Sequence, residues 1–359
     1  MRRLLAVPLL LCVSASSAWA SPALDALNAQ RAASGLPAGI AENATWSAAC
    51  AQHVAYMAAT GTVTHGEDPA QPAYTQAGDW AGAHAVLSWS GRDDASGWSA
   101  VENPYEFAPL HLAQLLAPGL ASVGVADAGG RTCMTTWPGT TRAAPAVTRI
   151  VTYPGHGAGI YAAESSAELP TTPAAALGLT DPTGPHLYVF AWGADQPRLA
   201  RASLAGPAGP VAIRTVDTAT PGVGDYLPGG AAIVIPVAPL VPGAAYAASV
   251  AFTDGSTHRW MFTALADARA ATPTAGSTLT VRVRRGSVSV TGQAPTAGER
   301  VRVRVGSVSR VVRADADRWF ADVIRIRPHA GSLRVAVRDA RGIIASQRVA
   351  ASPATARAG

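Results

Sequence analysis

The stretch Ala108-Pro109-Leu110-His111-Leu112-Ala113-Gln114-Leu115-Leu116-Ala117-Pro118 constrains the fold of this chain more than any other. Proline fits the first turn of a helix and is excluded from its interior, so Pro109 opens a helix that Pro118 closes after two turns. The helix carries a single histidine, His111, and delivers the chain to a strand beginning Val123-Gly124-Val125. A second histidine, His65, stands upstream in Thr64-His65-Gly66-Glu67-Asp68, just past another helical pattern.

That earlier helix starts near Thr45, a residue able to cap it, and places Trp46, Cys50, His53 and Met57 on one face before Thr60-Gly61. His53 on that apolar face reads as a satisfied core residue. At the front, Ser21 caps a helix with Pro22 at its first position, and Gly35 ends it. A long irregular segment runs from His65 to about Asn103, with the apolar piece Ala81 to Trp89 inside it. Ser122 to Ala126 and Thr132 to Trp137 flank Gly129-Gly130 and form a hairpin with alternating apolar residues.

These motifs, with Leu24-Asp25-Ala26-Leu27-Asn28-Ala29-Gln30-Arg31 before them, resemble the CAP superfamily (SCP-like secreted domains) in its bacterial form. The resemblance covers about the first third of the chain and implies an α/β sandwich. It also implies a cleft with two histidines and two acidic residues able to bind a divalent metal such as zinc, with His65 and His111 in the histidine positions. The family's Gly-Glu-Asn step falls near Gly82-Ala83-His84, where the glutamate is missing. The acids nearby are Glu67, Asp68, Glu102 and Glu106, none in a diagnostic frame. Glu67, two residues from His65, and His84 are therefore the candidates to complete the cleft.

At 359 residues the chain is too long for one ordinary domain. The expected division is a signal peptide over 1–20, the CAP domain over 21–140, an Ig-like sandwich over 149–266 and a second all-β unit over 275–350. Arg2-Arg3, the apolar run Leu4 to Val13 and Ala18-Trp19-Ala20 carry the marks of a secretory signal cleaved before Ser21. No later run is long enough to span a bilayer. Two cysteines remain after cleavage, Cys50 and Cys133, and an even pair in an exported chain reads as one disulfide rather than two free thiols.

Thr140 to Thr148 reads as a linker, and beyond Arg149 short strands alternate with Gly/Pro turns. Leu187 to Trp192, Val211 to Val216, Ala231 to Pro236 and Trp260 to Thr263 are the clearest strands. Val151-Thr152-Tyr153-Pro154, Pro239 to Tyr246 and Trp260 to Thr263 resemble the Ig-like module often attached to bacterial CAP domains. In this region His156, His186 and His258 sit beside turns or strand ends and are expected in solvent.

Every one of the 28 basic residues is arginine, and they are unevenly placed. Residues 21–274 hold 10 Arg against 18 acids, and residues 275–359 hold 16 Arg against 5 acids, so the net changes from −8 to +11. Arg282 and Arg284, and then Arg300, Arg302 and Arg304, alternate with valine, so one sheet face is charged. The expectation is that both ladders share a face. That face is either solvated or adhesive toward lipid headgroups or an anionic cell-envelope polymer, nucleic acid being an improbable partner outside the cell. There is no His-Glu-x-x-His, no Gly-x-Ser-x-Gly and no cysteine free for nucleophilic work. These features favour a non-catalytic exported ligand-binding protein, with a metal-dependent hydrolase at the His65/His111 cleft as the alternative.

Overall fold

The structure, a computed structural model, describes residues 21–90, 98, 103–166, 168–266, 279–284, 286–326, 332–339 and 342–350. The expected signal segment lies outside the described residues. Helix α1 (Pro22–Ala33) is capped by Ser21, whose hydroxyl accepts from the Leu24 amide. Strand β1 (Ala41–Glu42) follows, then α2 (Ala44–Thr60), which begins earlier than Thr45 predicts because the Asn43 side chain accepts from the Trp46 amide. Gly61 ends α2 in the left-handed region with φ 67°. The segment expected to be irregular contains α3 (Gln76–Ala83), capped by Thr75, and β2 (Ala85–Trp89). Helix α4 is Pro109–Leu116, as the two prolines require.

β3 (Ser122–Val123) pairs with β1, and β4 (Val125–Ala128) and β5 (Arg131–Thr135) form the hairpin. Both turn residues, Gly129 and Gly130, have positive φ, the conformation a two-residue hairpin turn needs at both central positions. With β2 they make a three-stranded sheet. Cys133 on β5 is disulfide-bonded to Cys50 on α2, which clamps that helix to the sheet.

The rest is almost entirely strand: β6 (Arg149–Tyr153), β7 (Gly159–Tyr161), β8 (Leu187–Trp192), β9 (Leu199–Gly206), β10 (Gly209–Val211), β11 (Ile213–Asp217), β12 (Ala231–Pro236), β13 (Ala245–Phe252) and β14 (Ser256–Leu265), with one short helix, α5 (Pro173–Ala176). Then come β15 (Leu279–Arg284), β16 (Ser287–Gln293), β17 (Arg300–Val305), β18 (Val308–Arg313), β19 (Trp319–Arg325), β20 (Ser332–Asp339) and β21 (Gly342–Ala350). Three sheets result. The central one runs β11-β12-β8-β6, the long one β10-β9-β13-β14-β15-β16-β19 with β7 also on β14, and the outer one β18-β17-β20-β21.

The linker expected between the CAP region and the β region does not separate two cores. One apolar cluster joins Leu24, Leu27, Leu112 and Leu116 to Val151, Tyr188, Phe190, Ile233 and Ile235 of the central sheet. The opposite face of that sheet, with Ile150, Val189 and Val234, packs on Trp260, Phe262 and Val250 of the long sheet. Strands β8 and β12 are therefore buried along their whole length.

The two β units also share a sheet, because Ser256–Arg259 of β14 pairs with β15. Pairing rows fix which face each half uses. Thr257 and Arg259 stand opposite Val281 and Leu279, so the face that β14 turns outward is the face that β15 turns into the third core, against Val303, Val335 and Val349 of the outer sheet. Arg282 and Arg284 consequently lie on the far side of the long sheet, while Arg300, Arg302 and Arg304 lie on the outside of the outer sheet. The two ladders occupy opposite outer surfaces, and the expectation of a shared face is wrong. Alternation in each strand says which residues are outward, not which sheet they are outward from.

Candidate functional site

His65 and His111 come together, although 46 positions separate them in sequence. Their rings stack with centroids 6.1 Å apart and planes 19° apart. His65 sits in the loop after α2, and its Nδ1 donates to the Gly82 carbonyl of α3 at 2.8 Å. That contact depends on glycine, since a Cβ at position 82 would collide with the His53 ring and the His65 carbonyl. His111 lies in the first turn of α4, and its ring also stacks with the buried Tyr105 ring at a centroid distance of 6.1 Å.

The carboxylate that positions His111 was invisible to sequence reasoning. Glu168, from the irregular chain between β7 and α5, accepts from His111 Nδ1 at 2.8 Å and from the Leu110 amide at 2.9 Å and the His111 amide at 3.3 Å. Its side chain is 1% exposed. Ala108 offers no side-chain cap to α4, so Glu168 does that work from 58 residues downstream of Leu110. The only trace in sequence is negative: a helix N-terminus without a local cap.

Each imidazole therefore uses Nδ1 as a donor to oxygen, which leaves the Nε2 lone pair of the neutral ring free, and Nε2 of neither ring has a partner among the described residues. His65 is held below the ordinary imidazole pKa, chiefly by burial and secondarily by charge on His111 and His53, against the opposing pull of the Gly82 carbonyl. Two adjacent imidazoles whose Nε2 atoms have no partner among the described residues would suit a borderline metal ion, and Nδ1 held by a carboxylate or carbonyl is the usual outer support of such ligands. The donor set stops at two, however. No group of three or more His, Cys, Asp and Glu suited to a metal forms among the described residues.

The other candidates go elsewhere. Glu67 turns away from His65 into the core, where its carboxylate is 2.9 Å from His53 Nδ1 and accepts from the Thr75 amide. His53 is fully buried and its Nε2 donates to the Thr64 carbonyl, so it is a satisfied core residue, as its position on α2 implies. His84 stacks on Trp80 with centroids 4.8 Å apart and bonds the Trp80 carbonyl, and no hydrogen bond or ring contact among the described residues joins it to His65 or His111.

Glu106, a residue in no diagnostic frame, belongs to a polar seam between the CAP region and β6. It accepts from Gln30 Nε2 of α1 and from the Tyr153 hydroxyl at 2.9 Å. Burial raises its pKa to about 7, with the nearby Glu164 charge adding to the rise. The Tyr188 hydroxyl is buried beside this seam without a partner among the described residues. His186 and His258, expected in solvent, are both fully buried. His186 Nδ1 lies 2.5 Å from Glu164, and His258 bonds Thr280 at 2.8 Å with its pKa pushed down to about 3 by burial. His186 directly precedes β8, which is buried along its whole length, and His258 lies on the one face of β14 that is covered, the face of Trp260 and Phe262.

Residues 24–137 match the family model described as the cysteine-rich secretory protein family, CAP, and the N-terminal part of the chain is accordingly a CAP domain followed by a strand-rich region. No curated protein matches the chain. Among solved structures it is similar to dimeric latent PorU from Porphyromonas gingivalis, at 11% identity and a TM-score of 0.20, over 63% of this chain and 23% of that one. It is also similar to the Ca2+-stabilised adhesin with which an Antarctic bacterium binds ice, at 16% identity and a TM-score of 0.16, over 63% of this chain and 60% of that one. The chain thus spans less than two thirds of either structure.

Proposed function

We propose that this is an exported, non-catalytic binding protein whose ligand site is the His65/His111 cleft, with the β region as a rigid scaffold that presents it. The observation that carries this reading is the stacked histidine pair with both Nδ1 atoms engaged and both Nε2 atoms without partners. The disulfide and the CAP domain support export. Ligand classes that fit an exported CAP domain are a lipid or a cell-wall component. The β region is read as two Ig-like sandwiches. In the first, the Tyr246 hydroxyl near the start of β13 accepts from the Val241 amide at 2.8 Å, as in the tyrosine corner of that fold.

A second reading, a metal-dependent hydrolase, gains from Glu168. A carboxylate on Nδ1 would make His111 Nε2 a stronger metal ligand, and a metal held there beside His65 would supply Lewis acidity and an activated water. Zinc is the probe that separates the two. The full chain is titrated with Zn2+ by calorimetry, beside His65→Ala and His111→Ala, and then assayed on chromophoric esters. Zinc binding lost in both variants, with no ester turnover, supports the binding reading. Turnover that disappears in His111→Ala establishes the hydrolase instead, and zinc binding that ignores both substitutions overturns the cleft as the site.

A further inference from the structure

The long sheet changes partners halfway along, and each of its faces is covered over only half its width. Where the bare face of β9, β13 and β14 meets the edge of β21, a groove of about 410 Å3 is left. Its floor is set by register. Ser249 stands between Ser203 and Arg259 in one pairing row, and Ala251 stands between Arg201 and Thr257 in the next. Its wall is β21, with Arg348 at the rim and Gln347 reaching across to the Thr257 hydroxyl at 2.5 Å. The groove is therefore a built feature of the shared sheet, anchored on both sides.

Three arginines, Arg201, Arg259 and Arg348, converge there, and no carboxylate among the described residues pairs with any of them. By contrast Arg282, on the opposite face of the same sheet, lies 3.0 Å from Asp254. Unpaired guanidinium groups in a concave polar trough focus positive potential on whatever enters. The hydroxyls of Ser203, Ser249 and Thr257 and the Gln347 amide share the lining with the arginines, beside Ala251 and the valines of β15 and β21. Hydroxyl and guanidinium donors interleaved at strand spacing, about 5 Å between neighbouring strands, suit a chain that alternates hydroxyls with acidic groups. No aromatic ring among the described residues lines the trough, so that lining offers no platform on which bases could stack. A concave floor is also a poor match for a flat lipid surface.

We propose that this groove binds an extended anionic glycan, with Arg201, Arg259 and Arg348 taking its acidic groups and Ser203 and Ser249 its hydroxyls. The site is independent of the histidine cleft. It also differs from the arginine ladder of β17, which is an open outer face rather than a trough.

The test uses the full chain and two double variants of equal charge change, Arg201→Glu with Arg259→Glu in the groove and Arg300→Glu with Arg302→Glu on the ladder. All four positions are exposed, and thermal melts are run first to check that both variants fold. Affinity for polygalacturonate and for a sulfated glycan is measured at about 0.15 M salt, where diffuse attraction is screened within about 8 Å. The groove variant is expected to lose at least tenfold in affinity while the ladder variant stays within twofold of the parent. Equal losses in both would show that net charge alone attracts the glycan, and no binding by the parent chain would remove the site; either result overturns the proposal. Single-stranded DNA bound as tightly as the glycans, with the same sensitivity to the groove variant, would overturn the assignment to glycan.

Discussion

Glu168 holds His111 and the first turn of α4 through one side-chain and two backbone hydrogen bonds while nearly wholly buried. Removing the carboxylate strands two helix amides and an imidazole in an enclosed site, and a buried donor left unsatisfied costs about 1–3 kcal/mol. Glu168→Ala should therefore lower the unfolding free energy by about 2–3 kcal/mol, read from urea melts, and should release the His111 ring. A loss below about 0.5 kcal/mol would show that water replaces the carboxylate without penalty. His65 is held differently, by the Gly82 carbonyl, whose close approach a Cβ at position 82 would prevent by colliding with the His53 ring and the His65 carbonyl. The pair thus has one partner that mutation can reach and one fixed by the approach of α3.

At the scale of elements, α1 and β6 are joined through Gln30, Glu106 and Tyr153. The Glu106 carboxyl keeps its proton up to about pH 7 in the native protein, against 4.5 for an unperturbed group. Between those values the native state binds more protons than the unfolded chain, so this group makes stability fall as pH rises across that window. Above pH 7 the loss is complete, and below 4.5 the group contributes no pH dependence. Glu106→Gln keeps an acceptor for Tyr153 and removes the titration. Melting temperatures measured from pH 4.5 to 8 should decline less steeply in that variant than in the parent. Parallel curves would mean that the seam admits enough water to keep Glu106 ordinary.

At the scale of the whole molecule, the cores are nested rather than strung. The CAP region lends Leu112 and Leu116 to a cluster completed by Phe190 and Ile233, and the third core is built on a sheet whose other half closes the second. A chain cut after residue 140 should lose the cover of α4. It is expected to bind a hydrophobic dye such as ANS and to unfold without a sharp transition, unlike the full chain. A truncated domain that melts cooperatively with no dye binding would show that the CAP region is self-sufficient.

Sequence alone determined the local pieces: α4 between its two prolines, the Gly129-Gly130 hairpin, the strands at Leu187–Trp192 and Ala231–Pro236, and the burial of His53. Each is specified by capping, turn chemistry or periodicity within a few residues, so the information is where the structure is. The meeting of His65 with His111 was legible only through resemblance to a family. The capture of His111 by Glu168, the diversion of Glu67 to His53, the burial of His186 and His258, and the parting of the two arginine ladders were decided by tertiary structure. Alternation along a strand tells inward from outward but carries no label for which sheet lies on which side. Nor does a loop without periodicity announce which helix its carboxylate will cap. Those choices are made when separate surfaces bury one another, and no window of sequence contains both partners.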